Sequence, residues 1–326
     1  YYYDGMAYLG NVTFVKCAED EKRHGECQDL KICVTEGSTG KAYVEIAFPI
    51  SYIFVTSVPD EDLEMLLEGK CNVIASDRSV LVDFLSRMGH NSNKFVLGDK
   101  LMTKEPLAAV SRSSDQIFSD VINWVIQALF YGEEKGLTRD PEKCQKQMDY
   151  ITHPSSLNFL NAVYCVGNYS QIVFNGTDTS KGMNSINGGD SGMLYAIPFG
   201  SLDGTDGSIS ITKDTLLATT KQAGSLGNIT QSGSLNCGVV ILDVRRPEVN
   251  ITNTDNVPGM SIDYCHALAA GLFNGDYEAV NILQFSSSGA SFNALSNGTI
   301  DVLAGARVEF NSDIGRNATH KGFHFS

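Results

Sequence analysis

Residues 32–40 read Ile32-Cys33-Val34-Thr35-Glu36-Gly37-Ser38-Thr39-Gly40, and this stretch decides the fold. The first four residues are apolar or β-branched and read as a short strand, Glu36 to Gly40 form a polar Gly turn, and apolar residues at helical spacing follow over 41–49. A turn of this kind opens a helix with free amides that can cradle an anion, carboxylate or phosphate alike. Outward from it, Leu63, Met65, Leu66 and Leu67 give helical spacing within Asp60–Gly69, and Cys71–Asp77 is a second strand ending in an acid. One βα unit after another implies an open α/β sheet, whose ligand crevice lies beyond the carboxyl ends of the strands. Ser38, Thr39 and Asp77 fall there.

Farther along, Ile117, Phe118, Val121, Ile122, Val125, Leu129 and Phe130 recur at three-and-four spacing, which predicts an amphipathic helix over Asp115–Gly136 with Ser113 or Ser114 as its cap. Trp124, the only tryptophan, reads as packing surface on that helix. Residues 200–233 are rich in Gly, Ser and Thr and read as a linker, with a brief helical stretch near 213–222. Beyond it the sequence predicts a buried strand over 235–241, a helix over 260–273 carrying Cys265, and a helix and strand over 290–297 and 299–304.

The chain has 326 residues and 42% hydrophobic content, enough for two modest cores. No run of eighteen apolar residues occurs, so membrane insertion is not expected, and the opening Tyr1-Tyr2-Tyr3-Asp4-Gly5 lacks the basic and apolar regions of a signal peptide, as in a mature or excised segment. The net charge of -14, with 24 scattered Lys and Arg, argues against a nucleic-acid partner. Eight cysteines (17, 27, 33, 71, 144, 165, 237 and 265) make an even set without a C-x-x-C, and six histidines are dispersed, so disulfides are favoured over a metal and no cofactor is expected. Asn-X-Ser/Thr sequons stand at Asn11, Asn168, Asn175, Asn228, Asn250, Asn297 and Asn317. With paired cysteines they point to a secreted, glycosylated protein, of eukaryotic rather than bacterial origin.

Several motifs, taken in cyclic order, resemble the family-3 solute-binding proteins of ABC importers, in their general L-amino-acid-binding branch. Leu235-Asn236-Cys237-Gly238-Val239, Ile262–Ala269, Asn297–Leu303 and Gly322-Phe323-His324-Phe325-Ser326 resemble the amino-terminal part of that family. Tyr2-Tyr3-Asp4-Gly5, which opens this chain, resembles the hinge segment that comes next. Residues 33–40, Leu67–Cys71 and Ser76–Ser79 resemble the second lobe, Lys104-Glu105-Pro106-Leu107 the return crossing, Asp115–Thr138 the long helix after it, and Val166–Tyr169 with Gly188–Phe199 the closing motifs. The resemblance implies a type II periplasmic-binding-protein fold: two Rossmann-like α/β lobes joined by hinge strands, here circularly permuted. Residues 4–98 would form the second lobe, 99–199 with 234–326 the first, and 200–233 the linker. It also implies disulfides Cys237–Cys265 and Cys33–Cys71, leaving Cys17 with Cys27 and Cys144 with Cys165 as local additions.

The family grips an amino acid through an Arg and a hydroxyl of the first lobe on the carboxylate and an acid of the second lobe on the ammonium. Asp77 matches the acid, and Ser38 and Thr39 match the polar turn facing it. The first lobe departs from the pattern: its hydroxyl positions fall on Val308 and Phe310, and its Arg falls on Asp313, with Arg307 or Arg316 as displaced substitutes. An acid in place of the carboxylate's partner repels a zwitterion. Tyr3 on the hinge strand is a further candidate contact, against a plain packing role for the Tyr1–Tyr3 run. Gly189-Asp190-Ser191-Gly192 matches the serine tetrad of trypsin-like proteases, but no histidine stands in the setting a general base needs, and the surrounding residues fit a turn. An enzyme is not expected. Two readings follow: a module that binds a small polar solute in the cleft between its lobes, or a structural repeat without ligand that joins neighbouring copies of itself through hinge strands.

Overall fold

The computed structural model describes residues 2–144, 158–174, 184–186, 225–240, 250–251, 260–285, 288–307 and 323–326. The chain divides into two compact α/β units, one built on Tyr3–Pro106 and the other on the residues from Leu107 onward together with Tyr2. Each holds one mixed sheet.

After β1 (Tyr2–Asp4), the Tyr3–Pro106 unit runs β2 (Met6–Gly10), α1 (Val12–Glu19), β3 (Ile32–Thr35), α2 (Thr39–Ala47), β4 (Ile53–Thr56), α3 (Pro59–Leu67), β5 (Val73–Asp77), α4 (Arg78–Met88) and β6 (Val96–Leu97). The strand order is β4-β3-β5-β2-β6. β3 is parallel to β4 and β5, while β2 is antiparallel to β5 and β6. Alternation along β2 explains why the sheet needs cover on both faces. Met6 and Tyr8 pack on one side with Val15, Ile32 and Val44, whereas Ala7 and Leu9 pack on the other with Leu66, Ile74, Leu81 and Phe84. Gly40 lets α2 start hard against the end of β5, since a Cβ there would lie 3.0 Å from the Ala75 carbonyl oxygen.

The other unit contains β7 (Glu105–Arg112), which leaves the first unit as it runs, then α5 (Gln116–Glu134), α6 (Leu160–Cys165), α7 (Tyr169–Phe174), α8 (Ser225–Ser232), β8 (Leu235–Val240), β9 (Asn250–Ile251), α9 (Met260–Leu272), β10 (Val280–Phe285), α10 (Ser288–Asn297), β11 (Val302–Arg307) and β12 (Phe323–Phe325). Its sheet runs β1-β7-β11-β8-β10-β9, with β12 also on β7. β8 is parallel to β10 and β11, the βα arrangement read from the sequence, and β7, β9 and β12 join antiparallel. The buried stripe Phe118, Val121, Ile122, Val125 and Leu129 of α5 meets Leu268 and Leu272 of α9, and Trp124 packs at the margin of that cluster. Burying a side chain of this size contributes about 1.5–3 kcal/mol.

Three local features differ from the sequence expectation. The cap of α5 is Asp115, whose carboxylate accepts from the Phe118 amide at 3.1 Å, instead of Ser113 or Ser114. An ionised carboxylate is the stronger partner for the positive end of the helix, and a second oxygen of Asp115 also accepts from the Ser225 amide. Strand β11 begins at Val302 rather than Thr299, because the Asn297 side chain accepts from the Thr299 amide at 3.0 Å and hydroxyl at 2.7 Å and holds that residue in a turn. Ser225–Ser232, at the end of the Gly/Ser/Thr-rich stretch, is a helix whose Leu226 and Ile229 enter the core. The expected helix near 213–222 and the tetrad at 189–192 lie outside the described residues.

Four disulfides join Cys17 to Cys27, Cys33 to Cys71, Cys144 to Cys165 and Cys237 to Cys265. Cys33–Cys71 clips β3 to the approach of β5 across a separation of 38 residues, which by loop-closure entropy is worth about 4 kcal/mol. Among the described residues, no helix is long and apolar enough to cross a membrane, and no group of three or more His, Cys, Asp or Glu is placed to hold a metal ion.

Candidate functional site

The carboxyl ends of β3 and β5 gather the polar residues of the Tyr3–Pro106 unit. Ser38 caps α2: its hydroxyl oxygen accepts from the Lys41 amide at 3.1 Å and its hydroxyl donates to the Thr35 carbonyl at 2.7 Å. The side chain is therefore committed to the turn. Thr39, one residue later, donates its hydroxyl to Glu105 Oε2 at 3.1 Å. The other oxygen of Glu105 accepts from the Thr103 hydroxyl at 2.7 Å, and Thr103 Oγ1 in turn accepts from the Met6 amide at 2.8 Å. A carboxylate of the chain itself thus stands at the first turn of α2, where the helix dipole favours negative charge.

Asp77 lies opposite Met6 in the β2–β5 ladder, at the junction of β5 with α4. Beside it, the Asp4 carboxylate accepts from the Gly5 amide at 2.8 Å and from the Ser79 hydroxyl. Tyr3 presents its ring to the Lys104 ammonium, 4.3 Å from the ring centre. A chain of contacts therefore runs Thr39, Glu105, Thr103, Met6, with Asp77 opposite its end, and brings Asp4 alongside. Arg78 is turned to structural use, donating to the Gly98 carbonyl at 2.8 Å. The edge carries the half-buried carboxylates of Asp77 and Glu105, with Asp4 buried behind them, and such an edge suits a solute that offers N–H or O–H donors.

Of the candidate contacts, the structure brings Ser38, Thr39, Asp77 and Tyr3 into one unit. Arg307 ends β11, its backbone opposite Leu107 in the other unit; Val308, Phe310, Asp313 and Arg316 lie outside the described residues. Sequence reading missed Glu105, Thr103, Asp4 and Ser79 as site members. Asp4, Ser79 and Glu105 were visible only as parts of hinge and lobe motifs, and Thr103 carried no signal.

One buried acid sits just behind this edge. Asp62 is fully buried and accepts from the Thr35 hydroxyl at 2.7 Å and the Thr56 hydroxyl at 2.8 Å. Burial pushes its carboxyl up to about 6, against the lowering effect of the two hydroxyls.

The sequons divide as well. Asn11, Asn228 and Asn297 are exposed. Asn168 is only 7% exposed, and its Nδ2 donates to the Leu137 carbonyl at 2.7 Å. The side chains of Asn175, Asn250 and Asn317 lie outside the described residues.

No protein-family model matches the chain. Among curated proteins it is 26% identical over 223 residues to YhdW of Escherichia coli (strain K12), which carries the name of an amino-acid ABC transporter-binding protein, covering 60% of this chain and 63% of that one. It is 26% identical over 142 residues to the general L-amino acid-binding periplasmic protein AapJ of Rhizobium johnstonii, covering 42% and 40% of the two chains. The chain thus spans less than two thirds of the length of the curated relatives it matches. Among solved structures, a periplasmic binding protein from Brucella ovis with glutathione bound aligns at a TM-score of 0.34 and 20% identity over 53% of this chain and 52% of that chain. An ancestral arginine-binding protein bound to glutamine aligns at 0.26 and 18% over 32% and 44%. The relatives carry the names of amino-acid-binding proteins, and the chain is distantly similar to the family-3 amino-acid-binding periplasmic proteins.

Proposed function

We propose that this chain is a secreted, glycosylated solute-binding module of type II periplasmic-binding-protein architecture, in circularly permuted order, and that it takes a small polar solute at the carboxyl-terminal strand edge of its Tyr3–Pro106 unit. The observation that carries the reading is the Thr39–Glu105–Thr103 arrangement beside Asp77. With the chain's own carboxylate at the first turn of α2, an incoming carboxylate meets like charge there, so the solute is one that presents donors, with Asp77 and Thr39 as principal contacts and Tyr3 flanking them. An ordinary α-amino acid is disfavoured. Isothermal calorimetry and thermal-shift titration with polyols, amines, short peptides, organic acids and amino acids test this. A donor-rich solute is expected to raise Tm in the wild type and lose at least about tenfold in affinity in Asp77→Ala, the cost of one lost charge-assisted hydrogen bond. No stabilisation by any member of the panel would sink the proposal.

A second reading, a ligand-free repeat of a tandem extracellular polyprotein or filament, is favoured by one observation. Val110 of β7 pairs with both Leu303 of β11 and Phe325 of β12, which places β11 and β12 on opposite edges of β7. β1 also lies on the edge away from β11. The first and last strands therefore share one edge of β7, which supports the permuted order and lets a neighbouring copy supply either strand.

A further inference from the structure

The four sequons whose side chains are described differ in what the acceptor amide does. At Asn11, Oδ1 accepts from the Thr13 amide at 3.0 Å to cap α1, and at Asn297, Oδ1 accepts from Thr299. Both residues are exposed. Asn228 is exposed on α8. Asn168 is built in: its Oδ1 accepts from the Gln171 amide at 3.0 Å, its amide donates to Gln171 Oε1 at 3.1 Å, and its Nδ2 reaches Leu137. That reciprocal pair is a capping box at the start of α7, with the acceptor nitrogen as a third tie to the end of α5. Asn168 is only 7% exposed, so a sugar on that nitrogen would require both the bond to Leu137 and the packing around the side chain to give way.

Two of the exposed sequons, Asn11 and Asn297, also share a place in the fold. The Asn11 amide donates to the Asn72 carbonyl at 3.0 Å, and Asn72 immediately precedes β5, so Asn11 stands at the amino-terminal edge of the parallel strands. Asn297 ends α10 and leads into β11, next to Asp301, whose amide donates to the Asn236 carbonyl at 2.8 Å near the start of β8. In each unit this edge is opposite the one where ligands of such sheets are held.

We infer that Asn11, Asn228 and Asn297 are N-glycosylation sites, that Asn168 is not, and that the sugars at Asn11 and Asn297 clothe the amino-terminal strand edges while leaving the edge with Thr39 and Asp77 uncovered. In the transfer a bond forms between the asparagine Nδ2 and the anomeric carbon of an oligosaccharide carried on a lipid pyrophosphate. One amide proton is lost, and the lipid pyrophosphate is the leaving group. The inference rests on the secreted reading proposed above.

The test is secretion of the full chain behind a leader sequence from cultured eukaryotic cells, enzymatic deglycosylation in heavy-oxygen water, and site-by-site mass spectrometry of the resulting Asn to Asp conversions. Label is expected at positions 11, 228 and 297 and none at 168. Label at 168, or its absence from any of the other three, overturns the inference. Asn11→Gln, Asn228→Gln and Asn297→Gln should each remove one glycan step on a gel. Ser170→Ala, which destroys the sequon while keeping the Asn168 side chain, should remove none, and a lost step in that variant overturns the inference. Titrating the same purified protein with the solute panel reads the binding proposal separately, so either can fail alone.

Discussion

At the scale of single residues, Asp62 shows how a polar group can be both well bonded and costly. Its oxygens are matched to Thr35 and Thr56, yet burial favours the protonated form and raises the carboxyl from 3.8 to about 6. A group whose folded pKa lies above its unfolded value contributes stability that is complete below about pH 4 and lost as pH rises through about 6. Asp62→Asn cannot ionise. The stability of the wild type relative to this variant is therefore expected to fall by about 3 kcal/mol between pH 3.5 and 7.5, since each tenfold change in proton affinity on folding is worth about 1.4 kcal/mol. Urea unfolding at a series of pH values measures it, and parallel curves for the two proteins would refute the assignment. Nothing in the sequence marked Asp62, since its burial depends on two threonines, 27 and 6 residues before it in the chain, that strand pairing sets side by side.

At the scale of elements, the turn between β3 and α2 separates two adjacent hydroxyls that the sequence could only name together. Ser38 closes the helix end and Thr39 reaches across to Glu105. Ser38→Ala should cost about 1 kcal/mol of stability, the usual loss for an N-cap, with solute affinity unchanged. Thr39→Val should keep the helix cap and weaken binding. Chemical denaturation paired with calorimetry separates the two effects, and a Ser38→Ala variant of normal stability would show that the cap is not needed. Helices α2, α3, α5, α9 and α10 and strands β3, β5, β8 and β11 were legible because their apolar spacing is local. The partner of Thr39 was not, because Glu105 is 66 residues away and sat inside a motif readable only as a hinge crossing. Local rules failed similarly at α5, where the sequence offered Ser113 or Ser114 and the cap is Asp115, which the Ser225 amide of α8 also engages. They failed at β11 too, where the Asn297 side chain holds Thr299 out of the strand.

At the scale of the whole molecule, strands far apart in sequence meet: β1 and β12 share one edge of β7. If the permuted order is right, a gene reading 225–326 followed directly by 1–199, with 200–224 left out, encodes a protein with the same two sheets. That protein should secrete, form the same four disulfides and melt within about 3 °C of the original, the shift expected for about 1 kcal/mol or less. Peptide mapping of the disulfides and calorimetry check this; a scrambled or unsecreted product would count against the permuted order.

The disulfides have a consequence for the order of synthesis. Each bridge closes within one of the two units, Cys17–Cys27 and Cys33–Cys71 in Tyr3–Pro106 and the other two in the remainder. The strands β2 to β6 and both of their bridges are complete by residue 106, so that part can oxidise and become protease-resistant while the ribosome is still translating α5. The other sheet has no such freedom. Its strand β7 is made early, with β1 already at hand for part of one edge, but waits for β11 on the other edge and finally for β12, more than two hundred residues later, with Ser111 and Val110 open on the β1 side until His324 and Phe325 arrive. An exposed strand edge held open that long is the point at which a chaperone, or a second nascent chain, has its opportunity.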